Sequence, residues 1–399
     1  MLKKKSNLNY YDWLLVAGVI LLVVFGIVMI YSASSYNAEL NYGNKYFYVI
    51  KQVVGAVAGT LALIICYHID YHLFSKHKIV ILVLSLVLLA LVFVPGIGST
   101  SNGATRWIKL PGFTIQPSEI SKFGFVIFTS AYLSKNYDII KTFKGILPVL
   151  IVGGAMCVLI MLEPNMSITM CVGITMLVLL FIGGASLKQF LCLSVPIALL
   201  VPLLIIIEPY RLNRLMAFLN PWENPKGEGY QLLQSLYGIG SGGLFGVGLF
   251  NSRQKYAFLP FSESDFIFSI ICEELGLLGA SIIMVIFAII IFCIFKIAKH
   301  AKDRFGGLLA AGIGTIIASQ TLINIAVVTG SMPPTGVPLP FVSHGGTSLV
   351  VFMASIGILL NISKQSKNSF VDCGKKPLNL NLNFRFLTKK QKNKVNINK

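Results

Sequence analysis

Long unbroken runs of apolar residues, separated by short polar connections, set the plan of this chain. They fall at 12–32, 46–66, 78–95, 117–134, 146–162, 165–184, 188–207, 265–296, 307–329 and 342–362. Crossing a lipid hydrocarbon core of about 30 Å takes about 20 such residues in a helix. The pattern therefore predicts an all-α integral membrane protein with about ten transmembrane helices. The run at 265–296 is too long for one crossing at about 1.5 Å per residue. Its purely apolar part, Leu275–Phe295, suffices alone, so 265–274 is expected to be a helical extension or re-entrant piece at one face.

Composition agrees: 55% of the residues are hydrophobic and 12% charged, against about 25% charged in a soluble domain. A net charge of +18 invites a nucleic-acid reading, but its distribution argues for a membrane. Most of the lysines and arginines lie in alternate connections: Lys3–Lys5, Lys76 and Lys78, Lys135, Lys141 and Lys144, Lys188, Lys296, Lys299, Lys302 and Arg304, and the tail from 364. The other connections hold Lys45, Lys51, Arg106, Lys109, Arg211, Arg214, Lys226, Arg253 and Lys255. By the positive-inside rule both termini are cytoplasmic, and no nucleic-acid partner is expected. The domain plan is a short cytoplasmic N-terminus (1–11), one membrane domain (12–363) and a basic, Asn/Lys-rich tail (364–399) expected to be disordered or to touch anionic lipid. The first run resembles a signal peptide but is too long, and nine more follow, so it reads as an uncleaved helix. The cysteines form no CxxC pair, and His68 and His72 lack a third ligand, so neither disulfides nor zinc are indicated.

Two extracellular connections stand out. Residues 96–116 are rich in turn formers and carry Arg106, Trp107 and Lys109. The 208–264 segment between spans 7 and 8 is far longer than an ordinary connection and so is expected to be functional. The run Gly238-Ile-Gly-Ser-Gly-Gly243 formally matches GxGxxG, but no strand precedes it; it reads as a close-packed loop or a backbone approach to a ligand.

Ionisable groups in or beside membrane spans are costly and mark function by default. Glu119 and Lys122, three apart, can pair on one helix face, either as a structural ion pair or in a substrate site. Glu163 lies in a charged turn with Pro164 and Asn165, as a cap or a contact. The densest cluster closes the large loop: Arg253, Lys255, Glu263, Asp265, then Glu273 and Glu274. Asp265 is either a first-turn carboxylate favoured by the helix dipole or a partly desolvated general base. Arg211, Arg214, Arg253 and Lys255 could hold a phosphate-bearing ligand or anchor lipid headgroups. An outward cavity of carboxylates and cations suits an amphiphile with an anionic head.

At these residues the chain resembles the SEDS (shape, elongation, division, sporulation) family, in its FtsW/SpoVE branch. The resemblance rests on Asn102-Gly-Ala-Thr-Arg-Trp-Ile108, Gln116-Pro-Ser-Glu119 with Lys122, Tyr210-Arg-Leu-Asn-Arg214, Asn251-Ser-Arg-Gln-Lys255, Asp265-Phe-Ile-Phe268, Glu273-Glu-Leu-Gly276 and Gly336-Val-Pro-Leu-Pro-Phe341. It implies a peptidoglycan glycosyltransferase that polymerises lipid II at the outer face of a bacterial plasma membrane, enriched at the division septum, in division or sporulation. It places the catalytic base on Asp265. It carries substrate-binding roles to Arg106, Glu119, Lys122, Arg211, Arg214 and Lys255; Lys109, Glu163 and Glu263 join them as substrate-binding candidates from their place among these charges. The implied partners are lipid II, an undecaprenyl-pyrophosphate-linked glycan, a class B penicillin-binding transpeptidase and other divisome proteins. The implied cofactor is a divalent cation, Mg or Mn, with no organic cofactor. Phe261, Glu263, His344 and Thr347 depart from the usual pattern. A lipid II flippase and a non-catalytic divisome scaffold are the competing readings.

Overall fold

The computed structural model describes residues 9–101, 104–110, 113–193, 195 and 209–373. Twelve long or short helices are named here: α1 (Tyr10–Tyr42), α2 (Phe47–His68), α3 (His72–Lys76), α4 (Lys78–Leu91), α5 (Pro117–Lys135), α6 (Phe143–Leu162), α7 (Met166–Gly183), α8 (Pro209–Leu219), α9 (Tyr230–Gly242), α10 (Ile267–Lys299), α11 (Arg304–Val328) and α12 (Gly346–Cys373). Seven are long and apolar enough to cross a membrane: α1, α2, α6, α7, α10, α11 and α12.

Two predicted spans depart from a simple crossing. α4 has 14 residues, short of the about 20 required. α5 has 19, but Glu119, Lys122 and several serines lower its hydropathy, and almost all of it is buried. The reason is position: α5 packs among α4, α7 and α11, so its polar groups face protein instead of lipid. The predicted span at 188–207 lies mostly outside the described residues, as does the tail beyond 373.

The prediction of an all-α chain needs one correction. Residues 96–116, read as a turn-rich connection, build a three-stranded antiparallel sheet of β1 (Gly98–Ser101), β2 (Ala104–Leu110) and β3 (Phe113–Ile115). Thr105, Trp107 and Ile108 supply the β-branched and aromatic residues that strands favour. Thr347 at the start of α12 seats the sheet, donating to Thr114 O at 3.2 Å.

The over-long eighth run forms two helical pieces. α10 breaks at Gly276, where φ is 68° and ψ is −172°, a conformation open to glycine. A break inside a helix leaves carbonyls and N–H groups without partners, a severe cost in lipid. The 243–248 backbone supplies them. Val247 N and Gly248 N donate to Glu273 O and Glu274 O at 2.9 and 3.0 Å; Leu277 N and Leu278 N donate to Gly243 O and Leu244 O at 2.9 and 3.2 Å. The segment 267–275 is therefore a short half-helix held by the loop, with Leu277–Lys299 continuing as the crossing. The glycine run lies in and after α9, where a Cβ at Gly242 would stand 2.0 Å from Cys272 O. It serves this close packing.

Candidate active site

Asp265 sits two residues before α10, half-buried, at the end of the bundle where the 208–264 segment, the small sheet and the 333–345 loop converge. Its position is fixed from behind by α11. The Asn324 side-chain amide donates to Asp265 O at 2.8 Å and to Val337 O at 2.6 Å. One buried amide thus ties the loop that carries Asp265 to the loop that faces it. That second loop turns at Gly336 with φ 45°, and a Cβ there would lie 3.1 Å from Asp265 Oδ2 and 3.9 Å from Arg106 Nη1. Absence of a side chain at 336 lets the carboxylate and the guanidinium approach one point.

Arg106 reaches this point because β2 is irregular. Ser99 pairs with Trp107 and Thr100 with Thr105, leaving Arg106 as the extra residue of a β-bulge, a device that re-aims a side chain. Its guanidinium then bonds the α6–α7 connection, Nε donating to Glu163 O at 3.0 Å and Nη2 to Pro164 O. Arg214 of α8 joins from the other side, donating from Nη1 to Pro334 O at 3.1 Å. Ser167 of α7 donates to Thr335 O at 2.6 Å. Four elements therefore frame the 334–336 turn around Asp265.

Electrostatics at the site are uneven. Burial pushes the Asp265 carboxyl up to about 6; Arg106 and Arg214 pull against that rise and Glu263 adds to it. Glu163, in the connection between α6 and α7, is driven by burial up to about 8, opposed by the Ser118 hydroxyl and Arg106. The site thus holds a carboxylate that titrates near neutrality beside two guanidiniums, the arrangement of a general base next to an anion clamp.

Behind it, Lys122 and Glu119 form an ion pair of 2.8 Å with 1% and 0% side-chain exposure. Lys122 Nζ also donates to Gln320 Oε1 at 2.5 Å, and Gln320 Nε2 donates to Pro338 O at 3.0 Å. The pair predicted from spacing therefore forms, and Gln320 links it to the 333–341 loop that faces Asp265.

Other predicted site residues lie elsewhere. Lys255 is buried, its Nζ 3.5 Å from Glu274 Oε1 and bonded to Phe250 O. Glu274 also accepts from Ser32 Oγ of α1 at 2.5 Å, while Glu273 accepts from Ser252 Oγ and from Arg253 N at 2.9 Å. This half of the dense charged cluster anchors the 250–255 loop to α1 and the half-helix. Lys109 is exposed on β2 next to buried Ile108. The Arg211 side chain lies outside the described residues. Glu263 is buried, its carbonyl accepting from His344 N at 2.9 Å, and its carboxyl is raised by burial. His344 packs edge-on against Tyr48 with ring centroids 5.1 Å apart; burial, with Lys51, holds it down at about 4.

Sequence reading missed Asn324, Gln320 and Gly336 as parts of this site. Gln320 and Asn324 stand four apart and are the two side-chain amides of α11, so their shared helix face was the available signal.

Fold and site together define a polytopic helical membrane protein with Asp265, Arg106 and Arg214 gathered at one end of the bundle. The cell cycle protein family model shared by FtsW, RodA and SpoVE matches residues 12–368, and the chain belongs to that family. Stage V sporulation protein E of Bacillus subtilis (strain 168) is 39% identical over 363 residues, covering 89% of this chain and 98% of the relative. A probable peptidoglycan glycosyltransferase FtsW of Trichlorobacter lovleyi is 39% identical over 364 residues, 91% of this chain and 96% of the relative. Among solved structures, a chain from work titled "Structural coordination of polymerization and crosslinking by a peptidoglycan synthase complex" superposes with TM-score 0.76 at 26% identity, covering 90% of this chain and 98% of the other. The rod shape determining protein RodA of Thermus thermophilus shares the fold, with TM-score 0.66 at 24% identity, covering 89% of this chain and 97% of the other.

Proposed function

We propose that this protein is a peptidoglycan glycosyltransferase that polymerises lipid II at the outer face of the plasma membrane, with Asp265 as general base. The observation that carries the reading is the juxtaposition of Asp265, Arg106 and Gly336. It puts a proton acceptor beside a fixed cation at the end of the bundle, where a lipid-linked pyrophosphate would lie. The 4-hydroxyl of an acceptor sugar gives its proton to Asp265 as its oxygen bonds the anomeric carbon of the donor. The bond from that carbon to the pyrophosphate oxygen breaks, and undecaprenyl pyrophosphate leaves with the electron pair. Arg106 and Arg214 offset the charge that develops there. A proton acceptor held beside a guanidinium at one end of the bundle supports an enzyme over a flippase.

Ten spans, cytoplasmic termini and septal enrichment belong to the same proposal, as does a class B penicillin-binding transpeptidase as partner. The synthase-complex likeness supports that partnership. Among the described residues no three His, Cys, Asp or Glu side chains converge. Mg or Mn would therefore be held mainly by the pyrophosphate oxygens, with one or two carboxylates of the site at most.

Purified protein given lipid II in detergent, with and without a transpeptidase partner, tests the reading. Glycan strands that disappear in Asp265→Asn support it. Full polymerisation by that variant, or lipid II crossing vesicles without polymerisation, would overturn it.

A further inference from the structure

The 260–265 segment has a second flank. Asn224, Glu228, Tyr230 and Gln231, with Pro260 and Phe261, line an open depression of about 500 Å³, within the about 300–1,000 Å³ of small-ligand sites. Its shape is held internally. Gln231 Nε2 donates to Pro260 O at 3.3 Å; Gly227 N donates to Asn224 O and Tyr230 N to Gly227 O at 3.2 and 3.0 Å. Phe261 adopts φ 56°, and the residue remains 45% exposed. Its carbonyl accepts from Ser264 N and Phe266 N at 3.1 and 3.4 Å. One tight turn therefore links the lip of the depression to Asp265.

The lining chemistry is specific. Asn and Gln amides offer donors and acceptors together, Glu adds acceptors, and Tyr adds a hydroxyl. Two aromatic rings provide flat apolar faces. No lysine or arginine lines the depression, so it does not suit a phosphate; the cations lie on the Gly336 flank of Asp265. Paired donors and acceptors beside aromatic faces match a neutral polyhydroxylated ligand, whose C–H faces pack on rings while its hydroxyls bond amides.

We infer that this depression is a saccharide subsite, binding neutral sugar units of the glycan strand that run on from the pair reacting at Asp265. The inference rests on the glycosyltransferase reading and deepens it. Arg106 and Arg214 hold the pyrophosphate on one flank; Asn224, Glu228, Tyr230 and Phe261 hold sugar rings on the other. A strand held there stays in place between couplings, so the subsite governs strand length.

Two measurements on the full chain in detergent test this. The first is the length distribution of strands made from lipid II by wild type, by Asn224→Ala with Glu228→Ala, and by Phe261→Ala. Shortening of about threefold or more in both variants is expected from a subsite that contributes to retention. The second is calorimetric binding of a neutral N-acetylglucosamine oligosaccharide to Asp265→Asn protein. Adding the pocket substitutions should weaken binding by about tenfold. Unchanged strand lengths with unchanged oligosaccharide binding would overturn the subsite. Unchanged oligosaccharide binding with lost capture of a transpeptidase partner would also overturn it, as the mark of a protein contact. Pocket-dependent oligosaccharide binding by a wild type that makes no strands would sustain the subsite and defeat the glycosyltransferase reading.

Discussion

The side-chain amide of Asn324 donates to the main-chain oxygen of Asp265 at 2.8 Å, from near the C-terminal end of a helix with no charged residue after its first. The same nitrogen holds Val337 O at 2.6 Å, so one amide sets the spacing between the proposed base and the turn opposite. Asn324→Ala frees both carbonyls. Misplacement of a reacting group by about 1 Å can cost about a hundredfold in rate. Polymerisation by this variant should fall in kcat by about ten- to a hundredfold with little change in KM, measured by steady-state kinetics on lipid II. Loss confined to KM, or unchanged kcat, would show that Asn324 only helps the chain fold.

A base whose carboxyl is pushed up to about 6 must be ionised to act. The kcat/KM of polymerisation should therefore fall with a slope of one as pH drops through about 6. Arg106 pulls the Asp265 carboxyl down, so Arg106→Gln should move this limb to higher pH as well as lowering the plateau. A pH profile that stays flat below the wild-type midpoint would remove Asp265 from the proton-transfer role.

How much of this was legible beforehand differs by element. The apolar runs and the over-long 265–296 stretch were readable because lipid demands length and continuity. Spacing alone paired Glu119 with Lys122, since i, i+3 residues share a helix face. The small sheet was not readable: its strands are short, and glycines and serines in 96–101 mimic a loop. Nor could local pattern divide the charges around 253–274. Lys255 and Glu274 are partners because the half-helix folds back on the 243–248 backbone, a long-range event with no local mark. Arg106 was flagged by its motif, yet its aim depends on a bulge that appears only once β1 and β2 pair.

Glu163 couples the site to stability. Burial raises its carboxyl from 4.5 to about 8. A folded-state value above the unfolded one favours the protonated form in the native protein. Its stabilising contribution is full below pH 4.5 and is lost as pH rises through about 8. Glu163→Gln keeps the shape and removes the titration. Thermal unfolding in detergent should show wild type losing stability across that window and the variant a shallower decline, becoming the more stable of the two at the alkaline end. Parallel curves for the two proteins would count against a buried, protonated Glu163.

Gly336 offers a test of proximity without touching a charge. Its φ of 45° costs a side-chain-bearing residue about 1–2 kcal/mol. A Cβ would also press on Asp265 Oδ2 at 3.1 Å. Gly336→Ala should therefore reduce polymerisation about tenfold or more, beyond what its modest loss of thermal stability explains. Restoring stability with a tighter-binding lipid or detergent should leave the kinetic defect in place. Wild-type turnover from a folded Gly336→Ala protein would mean that the 334–336 turn does not face the reacting centre.

Lys122 separates holding the bundle together from shaping the site. Lys122→Met leaves Glu119 as an uncompensated charge at a position with 0% exposure, a change that costs about 3–5 kcal/mol. Adding Glu119→Gln removes the stranded charge, and apolar or neutral replacements for a buried pair are often neutral in stability. The double variant should therefore recover most of the melting temperature lost by Lys122→Met. Activity should not return with it, because Gln320 has lost the ammonium at 2.5 Å that orients its bond to Pro338 O. Thermal unfolding and lipid II polymerisation measured on both variants decide the point. Equal instability of the single and double variants would deny the ion pair its structural part. Recovered activity in the double variant would cut the link from Lys122 through Gln320 to the turn facing Asp265.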